Sequence, residues 1–211
     1  MITAIQQKRR DAIKGLNPIT SSNRYKYSIQ DIQTGGYIAF DNQNWKVLSL
    51  SKYLDVKWSN FKKRKKDYLV TELELFSLKS GKTTYLEWEF DDELEIYQTT
   101  QEIKLKELTF NGQKIKKSVL EDISEEEEGE IKYKGELYSY MEDYTWAGLY
   151  FKDESSQEGI PVRFYEFESK RGISLTVEMW YEEVGDDRPQ REAFLSCELS
   201  PTKIEILQLK A

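Results

Sequence analysis

One passage of this chain is written twice. The segment LELFSLKSGKTTYLEWEFDD, from Leu73 to Asp92, returns 91 residues later as FYEFESKRGISLTVEMWYEE, from Phe164 to Glu183. Each copy places two β-rich runs around one glycine, Gly81 in the first and Gly172 in the second, and each closes on an acidic pair. Alternation of apolar and polar residues matches the two-residue period of a strand, and a central glycine suits a tight turn, so both copies predict a β-hairpin. A hairpin plan used twice points to a mainly β protein of two related antiparallel halves. They are expected to pack as one sandwich-like or barrel-like unit.

The pleat sorts the side chains of these strands into faces. Leu86, Trp88 and Phe90 alternate with Tyr85, Glu87 and Glu89, as Val177, Met179 and Tyr181 alternate with Thr176, Glu178 and Trp180. The first set of each is expected in the core. Glu87 and Glu178 then point away from it, where a carboxylate is easily solvated and a cross-strand partner is its ordinary role. A competing reading makes Glu87 and Glu178 acids that serve a polar ligand such as a glycan, with Trp180 as an aromatic platform and Trp45 and Tyr85 as further outward aromatics. Such chemistry needs a cleft that desolvates a carboxylate.

Histidine is absent from all 211 residues. Ser-His-Asp and Cys-His catalysis, the usual zinc sites and an imidazole base are therefore excluded. There is also no Gly-rich phosphate loop, GxSxG elbow or calcium-loop spacing. We accordingly expect no catalytic residue, no metal and no cofactor. The lone Cys197, within the alternating run Ala193 to Leu199, reads as a buried strand thiol of a reducing compartment.

Charge changes sign along the chain. Residues 1 to 66 carry 14 Lys and Arg against 4 Asp and Glu, whereas residues 67 to 211 carry 17 against 34, and together they give the net charge of −7. The basic peak is Lys62-Lys63-Arg64-Lys65-Lys66 and the acidic peak lies between Glu121 and Glu130. The bland interpretation is two solvated segments, or two faces that attract one another within the fold. The functional one is a cationic patch for an anionic membrane surface or an acidic protein partner. Nucleic acid is disfavoured, because the chain is acidic overall and only Phe61 and Tyr68 bracket the basic run. No apolar run approaches the ~18 to 20 residues of a membrane span, and residues 1 to 16 lack the apolar core of a signal peptide, so a cytoplasmic location is expected.

Ahead of the strands, Ile2, Ile5, Ala12, Ile13 and Leu16 fall near one helical face and predict a short helix over residues 2 to 15, stopped by Gly15 and Asn17-Pro18. The run 36 to 40, a turn at 41 to 44 and the run 45 to 50 predict one hairpin; 130 to 133, 134 to 136 and 137 to 140 predict its counterpart. Asn111-Gly112 marks a further tight turn. The organisation read from these signals is an N-terminal helix and lead-in over 1–32, a first β half over 33–117, an acidic connection over 118–129 and a second β half over 130–211.

Several of these strand motifs coincide with those of a known family. Trp45-Lys46-Val47 followed by Tyr53 and Trp58, then Tyr85-Leu86-Glu87, Gly135-Glu136-Leu137-Tyr138 and Val177-Glu178-Met179-Trp180-Tyr181 resemble an uncharacterised bacterial domain-of-unknown-function family. The resemblance spans about residues 33 to 208. Genes of that family often stand beside those for phage-shock-protein-A-like, band-7, small membrane and spermidine-synthase-like proteins. This implies a cytoplasmic role near a stressed membrane, with no catalytic residues to carry over. The lysine run 62 to 66 departs from the more neutral stretch of the family pattern.

The expected function is thus a non-catalytic interaction module that meets an anionic or protein partner through Lys62, Lys63, Arg64, Lys65 and Lys66, with the acidic segment competing for the same charges. The alternatives are a carboxylate-based enzyme or binder using Glu87, Glu178 and Trp180, and a subunit of a larger assembly.

Overall fold

The computed structural model describes residues 3–63, 69–153, 155–184 and 188–210. The protein is mainly β and antiparallel, with a short N-terminal helix, as the repeated hairpin pattern predicts. Helix α1 spans Ala4–Gly15. The strands of the first stretch are β1 (Tyr37–Phe40), β2 (Gln43–Val56), β3 (Leu69–Ser77), β4 (Thr83–Phe90) and β5 (Leu94–Glu102). There follow β6 (Thr109–Phe110), β7 (Gln113–Lys114), β8 (Glu130–Tyr133), β9 (Glu136–Tyr140), β10 (Trp146–Phe151), β11 (Ile160–Ser169), β12 (Ile173–Trp180), β13 (Gln190–Glu198) and β14 (Glu205–Gln208). A second helix, α2 (Lys117–Glu126), occupies most of the segment read as an acidic connection, and it buries Leu120 and Ile123. The chain forms two compact units: the first takes 1–52, 71–98 and 199–211, the second 53–70 and 99–198.

In unit one, β1 pairs with β14 on one side and β2 on the other, and β4 pairs with β3 and β5. Their inward residues Ile38, Val47, Leu73, Leu75, Leu86 and Ile96 are at most 1 % exposed and form one core. Trp45, expected on an outer face, belongs to this core instead: it pairs with Ile38 across the hairpin and stacks on Phe40 at 5.1 Å. Phe90, expected in the core, is exposed because it is the last residue of β4. Helix α1 begins with a capping box, in which Thr3 and Gln6 satisfy each other's backbone N–H groups. Its buried contact is Ala12, whose carbonyl accepts from the Tyr37 hydroxyl at 2.7 Å, while Ile5 and Ile13 of the expected apolar face are exposed.

In unit two, β11 pairs with β9, β10 and β12, and β12 with β13. Val177, Met179 and Tyr181 are buried as expected, in a core with Tyr165, Phe167, Leu120 and Ile131. On the opposite face Tyr53, Val70, Val162 and Phe164 form a smaller cluster that takes in Trp146, Tyr150 and Trp180. Cys197 lies in β13 as expected, but is half-buried rather than fully covered.

Both echoed segments are antiparallel hairpins, and their equivalent residues Leu86 and Val177 are each fully buried. The register, however, differs by one. Leu86 faces Leu73, whereas Val177 faces Tyr165 and not Phe164, the residue that matches Leu73 in the sequence. The cause is the connection: the last pair of the first hairpin is Phe76↔Thr83, that of the second Glu168↔Ser174, so the second turn is one residue shorter. A one-residue slip moves side chains to the other face, and Phe164 accordingly leaves the main core for the smaller cluster.

Candidate functional site

The basic run begins at a turn with a well-built base. Lys57 N–H donates to Lys62 O at 2.8 Å, Phe61 N–H to Lys57 O at 2.9 Å, and Lys62 N–H to Asn60 Oδ1 at 3.1 Å. Val56 then bridges to Lys63. Phe61 has φ of 53°, a left-handed backbone that a bulky residue adopts only when its surroundings hold it there. Those surroundings are aromatic and cationic. Arg163 on β11 sets its guanidinium 4.8 Å from the Trp58 ring centre, 5.4 Å from Phe61 and 5.5 Å from Tyr181. Its Nη2 donates to Trp58 O at 3.0 Å, and Nη1 lies 4.0 Å from Glu121. Beyond this base Lys62 and Lys63 are exposed; Arg64, Lys65 and Lys66 lie outside the described residues.

Glu87 is set in a different environment from the one its pleat position suggests. On β4 it faces Glu72 of β3 and Tyr97 of β5, and two residues on Glu89 faces Glu95. Like charges directly opposite one another in a sheet repel. Glu87 is half-buried, and desolvation pushes its carboxyl up to about 7. Glu89 is likewise pushed up to about 7, by desolvation first and then by the charges of Glu95 and Asp91. Glu87 is thus not the ordinary solvated acid expected from the sequence.

Glu178 is also covered rather than solvent-facing. It is only 6 % exposed, faces Phe164 and Glu192 across its strand, and accepts a hydrogen bond from Trp180 Nε1 at 2.7 Å. Trp180 meets Tyr150 edge-on at 5.2 Å. The sequence pairing of Glu178 with Trp180 is therefore a direct contact within unit two, with the indole acting as donor and as packing surface. Glu87 belongs to unit one.

Residues 33–196 match a family described as a domain of unknown function, DUF4178. The chain belongs to that family. The DUF4178 match runs from just ahead of β1 into β13, and so takes in the Arg163 box, Glu87, Glu178 and Trp180. No curated protein and no solved structure matches the chain. Among the described residues, no three Cys, Asp or Glu side chains gather as metal ligands would, and no helix is long and apolar enough to cross a membrane.

Sequence reasoning missed two features of this DUF4178 chain. Arg163 shares strand parity with Tyr165 and Phe167, both core residues, so a cation at that position needs aromatic or acidic company; this signal was present in the sequence. Glu89 has the parity of Glu87 and the neighbour Asp91. Its desolvation depends on what covers the strand, which a single sequence does not reveal.

Proposed function

We propose that the chain is a non-catalytic interaction module of a cytoplasmic, membrane-stress-associated system, and that Lys62, Lys63, Arg64, Lys65 and Lys66 meet an anionic membrane surface or the acidic face of a protein partner. The supporting observation is the base of the basic run. Lys62 and Lys63 are exposed at the end of a turn whose backbone is held by Arg163, Trp58 and Phe61. An anchored turn loses less conformational freedom on binding than a free segment, and clustered cations on an acidic chain attract anions at short range. The test is retention on vesicles containing acidic lipid. The protein should be held at low salt and released near physiological salt, and replacement of all five basic residues by Gln should abolish retention. Equal retention of both proteins overturns this reading.

A second reading, a carboxylate-based binder of a polar ligand such as a glycan, is favoured by Glu87, which opposes Glu72 and is held up to about 7. A protonated carboxyl donates and a deprotonated one accepts, so a group poised near neutrality suits a polar ligand. Carboxyl titration by NMR, with and without an oligosaccharide mixture, separates the two readings: a ligand-dependent shift at Glu87 or Glu178 supports the binder.

A further inference from the structure

Helix α1 carries a surface that neither reading above uses. Ile5, Arg9 and Ile13 stand four residues apart and so form one ridge along the helix, and Gln6, Arg10 and Lys14 form the ridge beside it. Folding leaves the isoleucines largely uncovered: Ile5 is 57 % and Ile13 53 % exposed, and Ala12 is the residue of the helix that is buried. Two basic residues help to hold α1 down. Lys8 Nζ lies 4.6 Å from the centre of the Phe76 ring, and Arg9 Nε donates to Leu78 O at 3.0 Å. The turn between β3 and β4 lies against the first ridge, since a methyl on Gly81 would come within 2.6 Å of Ile5 Cγ2 and 3.2 Å of Arg9 Cδ. That turn adds the exposed Lys79 and Lys82. Between Ala4 and Gly15 the sole acid is Asp11, which accepts from Gln7 Nε2 at 2.9 Å, and between Phe76 and Tyr85 there is none.

We propose that this face of unit one is a membrane contact: Ile5 and Ile13 enter the headgroup layer of a bilayer rich in acidic phospholipid, while Arg10, Lys14, Lys79 and Lys82 meet its phosphates. The inference rests on the membrane reading above and adds a second point of contact to it. Charge complementarity fixes the sign of the partner, and the isoleucines favour a bilayer over other anions. Aliphatic side chains have no flat ring on which a nucleic-acid base stacks. Two of them, about two helical turns apart with Arg9 between, are too sparse for the packed apolar centre of a protein interface. A bilayer accepts scattered apolar side chains, and long cationic ones bend back to its headgroups. Such a patch is a weak, reversible anchor, and firm attachment takes two signals. The basic run at 62 to 66 supplies the other, so loss of either should release the protein.

The test is partition of the full chain onto vesicles of phosphatidylcholine and phosphatidylglycerol at low salt. Ile5→Gln with Ile13→Gln should weaken partition about tenfold, and Arg10→Gln with Lys14→Gln should do the same. All four side chains are exposed, so thermal unfolding should report intact folding in each variant. An environment-sensitive dye on Ile13→Cys, in a Cys197→Ser background, should brighten on these vesicles and not on phosphatidylcholine alone. Unchanged partition of the isoleucine pair, while the variant with Gln at positions 62 to 66 is released, overturns this proposal and leaves the membrane reading standing. Equal retention of every protein overturns both. Saturable binding of soluble polyglutamate that the isoleucine pair abolishes also overturns the proposal, since the face would then belong to an acidic protein.

Discussion

Arg163 holds Trp58 by both side chain and backbone: its guanidinium lies 4.8 Å from the indole and its Nη2 donates to the Trp58 carbonyl at 3.0 Å. Tyr165 meets the same indole edge-on at 5.1 Å, and its burial pushes the phenol up. Arg163 Nε is buried and has no hydrogen-bond partner among the described residues. The box therefore depends on stacking and on the two outer guanidinium nitrogens.

Arg163→Lys should expose that dependence. An ammonium keeps the charge but loses the planar fork and most of the stacking, so a loss of about 1 to 3 kcal/mol is expected. Urea unfolding measures it. A change below about 0.5 kcal/mol, the scale of an indifferent surface substitution, would show that the box does not anchor the turn.

Glu87 should make stability fall as pH rises. Its folded carboxyl is raised from the ordinary 4.5 to about 7, so between those values the folded state keeps a proton that the unfolded chain has released. The stabilising contribution is complete below about 4.5 and is lost as pH passes through 7. Glu87→Gln removes the titration. The variant should match wild type near pH 4 and exceed it by about 1 to 3 kcal/mol near pH 8, since each tenfold change in proton affinity is worth ~1.4 kcal/mol. Parallel stability curves for the two proteins would refute this assignment.

Trp180→Phe should cost about 1 to 2 kcal/mol, because it deletes the indole donor to the buried Glu178 while keeping a ring against Tyr150. Adding Glu178→Gln to that variant should recover part of the loss, since a neutral amide is less costly to bury with one fewer donor. A double-mutant cycle gives the coupling; a value near zero would mean that the 2.7 Å bond contributes nothing.

Gly36→Ala tests the packing of unit one. A methyl at this position would come within 2.6 Å of Leu209 O and 2.8 Å of Gln208 O, both backbone atoms that cannot rotate aside. Overpacking of this kind costs about 1 to 3 kcal/mol. Thermal unfolding should show a lowered midpoint, and an unchanged one would mean that the C-terminal strand shifts freely.

Local chemistry was legible in the sequence. Two-residue alternation marked β3, β4, β11 and β12, while Asn111-Gly112 and Lys134-Gly135 named the β6–β7 and β8–β9 turns, both with the positive φ that such turns require. These features depend on a residue and its close neighbours, so one chain suffices to read them. The face opposite the core was not legible. Strand parity says that Glu87 and Glu178 point away from Leu86 and Val177, but whether water or other side chains lie on that side depends on which strands arrive beside them. Glu72, Tyr97 and Glu192 do, from positions 15, 10 and 14 residues away along the chain. The one-residue difference in turn length likewise put Tyr165, not Phe164, opposite Val177. Register and desolvation are properties of pairs brought together by folding, and only the tertiary structure decides them.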